Sequence, residues 1–419
     1  MSRDLAPAEP AHFPALDGVR GLAIVLVMFL HLWTMRSVGT VDRVAFLITN
    51  LGWFGVDLFF ALSGYLITGI LLDARGADHY FRNFYLRRVL RIFPLYYAVL
   101  IGSLYVLPRV LPAVKAARFG TIAGDEIYYW TYLSNFAMAR VGGTRHGVLD
   151  VTWSLAIEEQ FYLVWPAVVF LCSRRALVRI AGALAATSLA LRLGLHLLSS
   201  YNAYSIYVLT PCHLDSLVVG AILAVWAREP GGLARFQSRA RVAFFVTLPV
   251  VILLPIAEET FGPPNHIALG MSAIFNVVGF TLLAVLFGGL LILVVSAEPG
   301  SRLHRVFTSS FLGTFGKYSY GIYLVHLPIR ALFRDRIYGP AGPGPRFHFL
   351  TMFGSELPGQ LIFYVLASAA AVGVAWLSYH LYEKQFLKLK RYFPSGARPS
   401  PAASLPLPDR SSAPSARPR

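Results

Sequence analysis

The chain has 419 residues, of which 56% are hydrophobic and only 14% are charged. A soluble domain carries roughly a quarter of charged residues, so this composition excludes an ordinary soluble enzyme and indicates a protein with many membrane spans. A formal net charge of +16 would suit nucleic acid in a soluble protein, but in a membrane protein it is typical of basic cytoplasmic loops that face anionic lipid. We therefore expect the lipid bilayer, and no nucleic acid, as a partner.

The two cysteines, Cys172 and Cys212, both fall in apolar runs. Their positions give neither a metal-ligand spacing nor a disulfide framework, so we expect inert core thiols and no metal site. We also expect no cleavable signal peptide, because the first apolar segment is long enough to span a bilayer and lacks a small-residue cleavage site.

The hydrophobic pattern predicts an all-α bundle of about ten membrane-spanning helices. Residues 1–13 form a short polar lead, 14–391 the transmembrane domain, and the Pro-, Ser- and Arg-rich residues 392–419 a disordered tail. The predicted spans are 15–33, 51–72, 94–112, 151–172, 177–198, 207–227, 241–257, 269–296, 308–331 and 358–381. Between the second and third spans, residues 79–93 alternate basic and apolar side chains, which is typical of an interfacial helix.

The distribution of Lys and Arg predicts the orientation of the bundle. The connections rich in these residues are 75–91, 174–179, 228–241, 302–305 and 388–391. The alternate connections at 199–206 and 258–268 contain neither residue, whereas the long one at 113–148 is a basic exception. Both termini are therefore predicted to be cytoplasmic, and 113–148 is predicted to be the largest external loop.

The first span, Ala15–Trp33, carries two ionisable residues in an almost continuously apolar run. Arg20 and His31 are close to three helical turns apart, so both side chains fall on one face, roughly 16 Å apart along the axis. Ionisable residues inside a span are candidates for function. The alternative interpretation is a packing pair or a charge at the membrane edge.

The predicted orientation separates the buried acids and histidines from the arginines. The residues predicted to lie in the outer half of the bundle are His31, Asp57, Glu158, Glu159, His213, Asp215 and His326. The inner face receives Arg20, Arg87, Arg88 and Arg91. Clustered arginines are suited to bind phosphate or pyrophosphate, and a histidine–carboxylate cluster is suited to general-base catalysis. The pattern favours a phosphate-bearing donor that enters from the cytoplasm and a proton that is removed at the far end of a buried path.

These groups also have purely structural interpretations. The run Arg87–Arg91 is, in isolation, typical of a membrane-surface anchor. His213 and His326 also fit satisfied interior histidines.

The adjacent acids Glu158 and Glu159 point about 100° apart on a helix and cannot both face one site. Glu158 shares its stripe with Ser154 and Tyr162, so we favour Glu158 as the functional acid. The competing interpretation is a structural hydrogen bond to a broken backbone near Pro166.

In this order, five stretches resemble the type-3 integral-membrane acyltransferases, which modify cell-surface carbohydrates, lipopolysaccharide O-antigen, peptidoglycan, nodulation factors and macrolides. The stretches are LDGVRGLAIVLVMFLH (16–31), FFALSGYLIT (59–68), YLRRVLRIFPLYY (85–97), VTWSLAIEEQFYLVWP (151–166) and YSYGIYLVHLPI (318–329). The weaker matches are HLDSLVVGAILA (213–224) and SYHLYEKQF (378–386). The resemblance covers roughly residues 11–390.

The resemblance implies a ten-helix fold, an acyl-CoA donor reached from the cytoplasm, and transfer to an acceptor hydroxyl that is often on the far side of the membrane. It implies that Arg20 and His31 form the family's Arg–His motif. Arg88 and Arg91 then match its inner Arg-x-x-Arg motif, with Arg87 as an extra basic neighbour.

The same resemblance implies that Glu158 matches the glutamate of the fourth-span signature. His213 stands where relatives often have an arginine. Some relatives carry an extra span and a soluble hydrolase-like domain; because this sequence ends in a low-complexity tail, it resembles the stand-alone form.

We therefore expect O-acylation, and O-acetylation in particular, of a carbohydrate or glycoconjugate hydroxyl, in a bacterial inner membrane. His31 is expected to act as general base or transient acyl carrier, with Asp57 or Glu158 orienting its imidazole. The residues expected to bind acyl-CoA, a donor substrate rather than a resident cofactor, are Arg20, Arg87, Arg88, Arg91, Ser63 and Tyr65, the last two through a kink at Gly64. The residues expected to contact the acceptor are Ser154, Tyr162, His213, Asp215 and His326.

A secondary transporter or flippase for a glycolipid is the alternative function. It would also need buried charges and broken helices. Against it, the sequence shows no convincing inverted repeat, and the charges separate to the two faces rather than gathering at the midplane.

Overall fold

The computed structural model describes residues 13–34, 39–111, 124–144, 146–198, 203–261, 274–338 and 355–395, without the side chains of 259–261 and 334–338. No strand occurs within these ranges, and the all-α class is confirmed. Most of the predicted lead and tail, and residues 113–123 and 145 of the predicted external loop at 113–148, lie outside the described residues.

Seventeen α-helices occur along the described part of the chain. They are α1 Pro14–His31, α2 Thr40–Asn50, α3 Phe54–Ala74, α4 Tyr80–Ile101, α5 Leu107–Val110, α6 Glu126–Trp130, α7 Ser134–Val141, α8 Thr152–Leu171, α9 Arg174–Leu197, α10 Ala203–Val208, α11 Leu214–Trp226, α12 Gln237–Phe261, α13 Phe280–Val295, α14 Arg302–Phe307, α15 Ser310–Tyr338, α16 Leu357–Ser378 and α17 Lys384–Lys388. Short 3₁₀ or π turns extend several of them, including Leu389–Tyr392 after α17.

Eight helical segments of the described chain are long and apolar enough to cross a membrane. They are Pro14–His31, Thr40–Ala74, Tyr80–Val110, Thr152–Leu171, Arg174–Leu197, Ala234–Glu258, Phe275–Val295 and Leu357–Tyr392. The predicted spans at 207–227 and 308–331 fall on the shorter apolar helix α11 and on α15, which has 29 residues. The protein is therefore a polytopic bundle of membrane helices.

The Arg-rich segment 79–93 is not a separate interfacial helix, and that prediction was wrong. It is the first half of α4, which runs on through Pro94 to Ile101 and then through a π-helical turn at Gly102–Val106. Alternating basic and apolar residues describe a helix with one polar face, whether that face meets lipid headgroups or a polar cavity inside the bundle. Arg87, Arg88 and Arg91 of α4 line such a cavity, whereas Arg82 is exposed and does not line it.

Several pairs of helices approach so closely that the contact points must be glycine, among them α1 with α15 and α3 with α11. Between α1 and α15, a Cβ on Gly21 would lie 2.0 Å from the Leu312 carbonyl oxygen, and one on Gly316 would lie 1.8 Å from that of Asp17. Small residues let membrane helices pack backbone to backbone. This contact fixes α1, which carries Arg20, against α15.

The second close pair is α3 and α11, and it corrects the predicted kink at Gly64. Helix α3 is uninterrupted from Phe54 to Ala74, and a Cβ on Gly64 would lie 1.8 Å from the Leu217 carbonyl oxygen of α11. Gly64 is therefore needed for helix packing rather than for backbone contact with a ligand.

We expect Gly64→Ala to destabilise the protein by about 1–3 kcal/mol, because the added methyl group overpacks a backbone contact that cannot give way. Thermal unfolding in detergent measures this change. Gly182→Ala in α9 is the matched control, since nothing lies within 4 Å of the added Cβ. Equal melting temperatures for the two variants would contradict the packing role.

Candidate active site

A cavity of about 420 Å³ lies between α1, α3, α4, α8 and α15. One end, called here the arginine end, is lined by Arg20, Arg87, Arg88, Arg91 and Lys390. Tyr323 lines the cavity together with its neighbours Ser154 and Phe59, two helical turns along α8 from Tyr162, and this region is called the far end. The cavity therefore joins a cluster of fixed positive charge to a less charged interior.

The structure brings all four predicted arginines to this cavity. Arg20 pairs with Asp17 one helical turn earlier, at 2.6 Å between Nη1 and Oδ1. The Arg88 guanidinium carbon lies 5.3 Å from the centre of the Tyr162 ring, within range of a cation–π contact. Neither Arg88 nor Arg91 forms an ion pair with a carboxylate of the described chain. Positive charge without a paired acid is the arrangement that suits a polyanion.

Arg87 is arranged differently from its neighbours. Its Nη1 donates hydrogen bonds to the carbonyl oxygens of Phe393, at 2.9 Å, and Lys390, at 3.3 Å. At least part of this guanidinium therefore binds protein backbone near the end of the described chain.

The helical stripe that the sequence predicts on α8 faces the cavity. Ser154, Glu158 and Tyr162 of α8 all line it, whereas Glu159 is not among the lining residues. Glu158 has Arg88, Ser63 and Tyr162 among its electrostatic neighbours, and the hydroxyls of Ser63 and Tyr162 hydrogen-bond to each other. Glu158 therefore lies on the arginine side of the site, among groups suited to a polar donor.

His31 and His326 form a hydrogen-bonded pair at the C-terminal end of α1. His31 Nδ1 lies 2.8 Å from His326 Nε2, and His326 Nδ1 lies 3.1 Å from the Ile322 carbonyl oxygen. A carbonyl oxygen can only accept, so this network assigns the proton of neutral His326 to Nδ1 and makes its Nε2 an acceptor. His31 must then donate from Nδ1, which leaves its Nε2 as the basic nitrogen.

Helices α15 and α16 hold the end of α1 in place around His31. Gln360 Nε2 donates to the Leu32 carbonyl at 3.0 Å, and its Oε1 accepts from the Thr34 backbone at 2.9 Å. Tyr364 donates to the Phe29 carbonyl, and Arg330 donates to that of Trp33 at 3.2 Å. The position of the His31 ring is thus fixed by buried or partly buried polar contacts on both sides of it.

The histidine pair lies behind the wall of the far end rather than on the cavity surface. Tyr323 lines the cavity, hydrogen-bonds to Ser154 at 2.5 Å, and has its ring centre 5.8 Å from that of His326. His326 then stacks on His31, with ring centres 5.0 Å apart. A continuous set of contacts therefore links the cavity to His31.

The structure does not join Asp57 or Glu158 to His31, so the predicted carboxylate–histidine pair is replaced by His31–His326. Asp57 Oδ1 accepts from Ser216 Oγ at 2.9 Å and lies 3.3 Å from His213 Nε2. That second contact lacks hydrogen-bond geometry, and both His213 nitrogens are buried without a hydrogen-bond partner. The sequence gives the depth of each acid but not its direction around the bundle.

His213 is enclosed by aromatic rings and does not line the cavity. The rings around it belong to Phe60, Trp153, Tyr207 and Phe280. The structure thus places His213 with Asp57 between α3 and α11, and not beside His31.

Asp215 also stands apart from the cavity. It forms a two-pronged ion pair with Arg192 of α9, at 2.7 and 2.8 Å, and accepts from Thr281 at 2.6 Å. Arg192 is fully buried and also donates to two backbone carbonyls. These hydrogen bonds link α9, α11 and α13 to one another. The structure therefore gives no support for contact between Asp215 and the acceptor.

Ser63 and Tyr65, both predicted to bind acyl-CoA, lie in different surroundings. Ser63 lines the cavity, whereas Tyr65 is not among the lining residues and has the Arg228–Asp73 ion pair for its charged neighbours.

Sequence reasoning missed Tyr323, Gln360, Lys390 and Arg192. Arg192, an arginine within an apolar run, carries the same signal as Arg20. Tyr323 is one helical turn before His326 in YSYGIYLVHLPI, so helical spacing carries a signal for that position too, although it was not used.

Comparison with known proteins gives one consistent result. A family model described as an acyltransferase domain matches residues 13–380. The chain is 30% identical over 342 residues to the peptidoglycan O-acetyltransferase OatA of Listeria monocytogenes, which covers 77% of this chain and 50% of the relative. It is 29% identical to the putative peptidoglycan O-acetyltransferase YrhL of Bacillus subtilis, over 77% of this chain and 49% of the relative. The O-acetyltransferase OatA of Staphylococcus aureus is 28% identical, over 77% and 51%.

The chain thus spans about half the length of the curated relatives it matches. No solved structure matches it significantly. The family match includes α1, the arginines of α4, the stripe of α8 and the histidine of α15, and it covers far more than half of the chain. The chain therefore belongs to the type-3 integral-membrane acyltransferases.

Proposed function

We propose that this protein is a membrane O-acyltransferase that moves an acetyl group from acetyl-CoA to a hydroxyl of a carbohydrate or glycoconjugate. The observation that carries the proposal is a single cavity with clustered arginines at one end and an oriented histidine pair beside the other. The relatives are named for O-acetylation, two of them on peptidoglycan, which supports acetyl as the group and a cell-wall glycan as the acceptor class.

The donor's phosphates bind at the arginine end in this proposal. Arg20, Arg88 and Arg91 line the same end of the cavity, and hydrogen bonds from charged groups to phosphate contribute about 1.5–3 kcal/mol each. The pantetheine arm then extends past Ser63 and Glu158 towards the far end. This arrangement leads the thioester towards Ser154 and away from the charged mouth.

His31 supplies the base. Its Nε2 takes the proton of the acceptor hydroxyl, the hydroxyl oxygen forms a bond to the thioester carbonyl carbon, and the carbon–sulfur bond then breaks. The proton passes from His31 to the leaving thiolate, which releases CoA. While His31 is protonated, its Nδ1–H bond to His326 becomes charge-assisted and stronger. A transient acyl group on His31 would use the same Nε2.

We infer an orientation with the arginine end at the cytoplasm and both termini on that side. The basic connections support it through the positive-inside rule, and acetyl-CoA is a cytoplasmic metabolite that must enter from there. We propose a bacterial inner membrane as the location of the protein.

His326 is a positioning residue in this proposal, and its substitution should lower kcat more than it raises KM. We expect His326→Phe to lower kcat by about 10- to 100-fold, because His31 loses the acceptor that fixes its tautomer. His326→Gln should retain more activity, since an amide oxygen can accept the same hydrogen bond. Steady-state kinetics on purified protein check this order, and equal kcat values for the two variants would contradict it.

The function is tested with purified protein in lipid nanodiscs, labelled acetyl-CoA and soluble peptidoglycan fragments. We expect release of CoA together with ester-linked label on the glycan, removable by mild base. Movement of an unmodified glycolipid across vesicles, with acetyl-CoA untouched, would support a transporter and overturn the proposal.

A further inference from the structure

The mouth of the cavity is partly built by the last residues that the structure describes. Lys390, Pro394 and Ser395 line the cavity beside Asp78 of the α3–α4 connection, so this end lies where the helices of the bundle end. Residues 389–395, called here the strap, run across it. The strap is therefore the part of the chain nearest to whatever occupies the arginine end.

Helix α4 fastens the strap through two side chains. Asn83 Nδ2 donates to the Pro394 carbonyl at 2.9 Å, and Arg87 Nη1 donates to that of Phe393 at 2.9 Å. Asn83 is 6% exposed, and its hydrogen bond to the strap is partly buried. Arg87 was expected from the sequence to bind phosphate, yet it contributes to holding the strap.

The fastened strap brings Lys390 into the cationic cluster. The Lys390 side chain lines the cavity and has Arg91, Arg88 and Arg87 as its charged neighbours. It forms no ion pair with a carboxylate in the parts of the chain that the structure describes. Held among like charges without a paired acid, this ammonium is poised to bind an anion that the arginines also attract.

We propose that Lys390 binds the donor phosphate nearest the mouth, the 3′-phosphate of CoA, and that Asn83 and Arg87 position it through the strap. The inference rests on the proposed binding of acyl-CoA at the arginine end. Because the thioester leads into the cavity, the adenosine half of the donor must lie at the mouth. Its 3′-phosphate is then the group that meets the strap, while the pyrophosphate meets the arginines deeper inside.

Equilibrium binding of CoA and of 3′-dephospho-CoA to the purified full chain tests the inference. We expect Lys390→Ala to weaken CoA binding about 10-fold, the effect of one charge-assisted contact, and to leave dephospho-CoA binding unchanged. Lys388→Ala is the matched control, because Lys388 is exposed and bonds to Gln385 instead. It should change neither affinity.

The role of the strap is tested by Asn83→Ala, alone and combined with Lys390→Ala. Asn83→Ala should reproduce the selective loss of CoA binding and speed tryptic cleavage after Lys390, and the double variant should bind CoA no more weakly than Lys390→Ala alone. Equal losses of CoA and dephospho-CoA in Lys390→Ala would overturn the inference and leave the proposed function intact. Failure of the wild type to bind either compound would instead overturn the proposed function.

Discussion

His31→Ala should abolish acyl transfer while the protein still folds and inserts into membranes. A positioned general base contributes about 10²–10⁴-fold to the rate, and no histidine lines the cavity within the described residues that could replace His31. We therefore expect kcat to fall at least about 100-fold, with a loss of stability no larger than about 1–3 kcal/mol, the cost of one unpaired buried acceptor. Release of CoA from labelled acetyl-CoA in the presence of acceptor measures the loss.

The control for this variant is His304→Ala. His304 lies on α14, outside the cavity, and its ring reaches only the nearby Gly300 backbone, so its loss should leave kcat unchanged. Activity of the His31→Ala protein above a tenth of the wild-type rate would count against His31 as base and as acyl carrier alike.

Arg88→Ala should raise the KM for acetyl-CoA about 10- to 100-fold, the effect of one lost charge-assisted contact to phosphate, and should change kcat less. The side chain also stacks over Tyr162, so Arg88→Lys should recover only part of the affinity because an ammonium cannot replace the planar guanidinium. Initial rates over a range of acetyl-CoA concentrations measure both parameters.

Arg175→Ala makes the same change of charge at an exposed position of α9. It should leave the KM for acetyl-CoA at the wild-type value. A KM that rises equally in the Arg88 and Arg175 variants would show a general effect of surface charge rather than binding of the donor in the cavity.

The sequence predicts a residue's surroundings correctly where the residue's position on one face of its helix determines them. Ser154, Glu158 and Tyr162 face one cavity because their spacing follows the helical period. Arg20 faces the same cavity for the same reason. For these positions, local periodicity and the requirement to hide charge from lipid lead to one answer.

The residues that the sequence misplaced depend on how the helices are arranged around the bundle. The sequence predicts Asp57 and Asp215 in the same half of the bundle as His31, yet one meets Ser216 and the other meets Arg192. Depth follows from hydropathy, but the direction of a helix face follows from close contacts between helices, such as those at Gly21 and Gly64. These contacts involve residues far apart in the chain, which a periodic pattern does not encode.

In the proposed mechanism the arginine end binds the donor and His31 performs the transfer. Equilibrium binding of CoA to purified wild-type protein, to His31→Ala and to the double variant Arg88→Ala, Arg91→Ala tests this division directly. We predict that His31→Ala binds CoA as tightly as the wild type and that the double variant binds at least about 100-fold more weakly. Unchanged CoA affinity in the double variant would contradict the account.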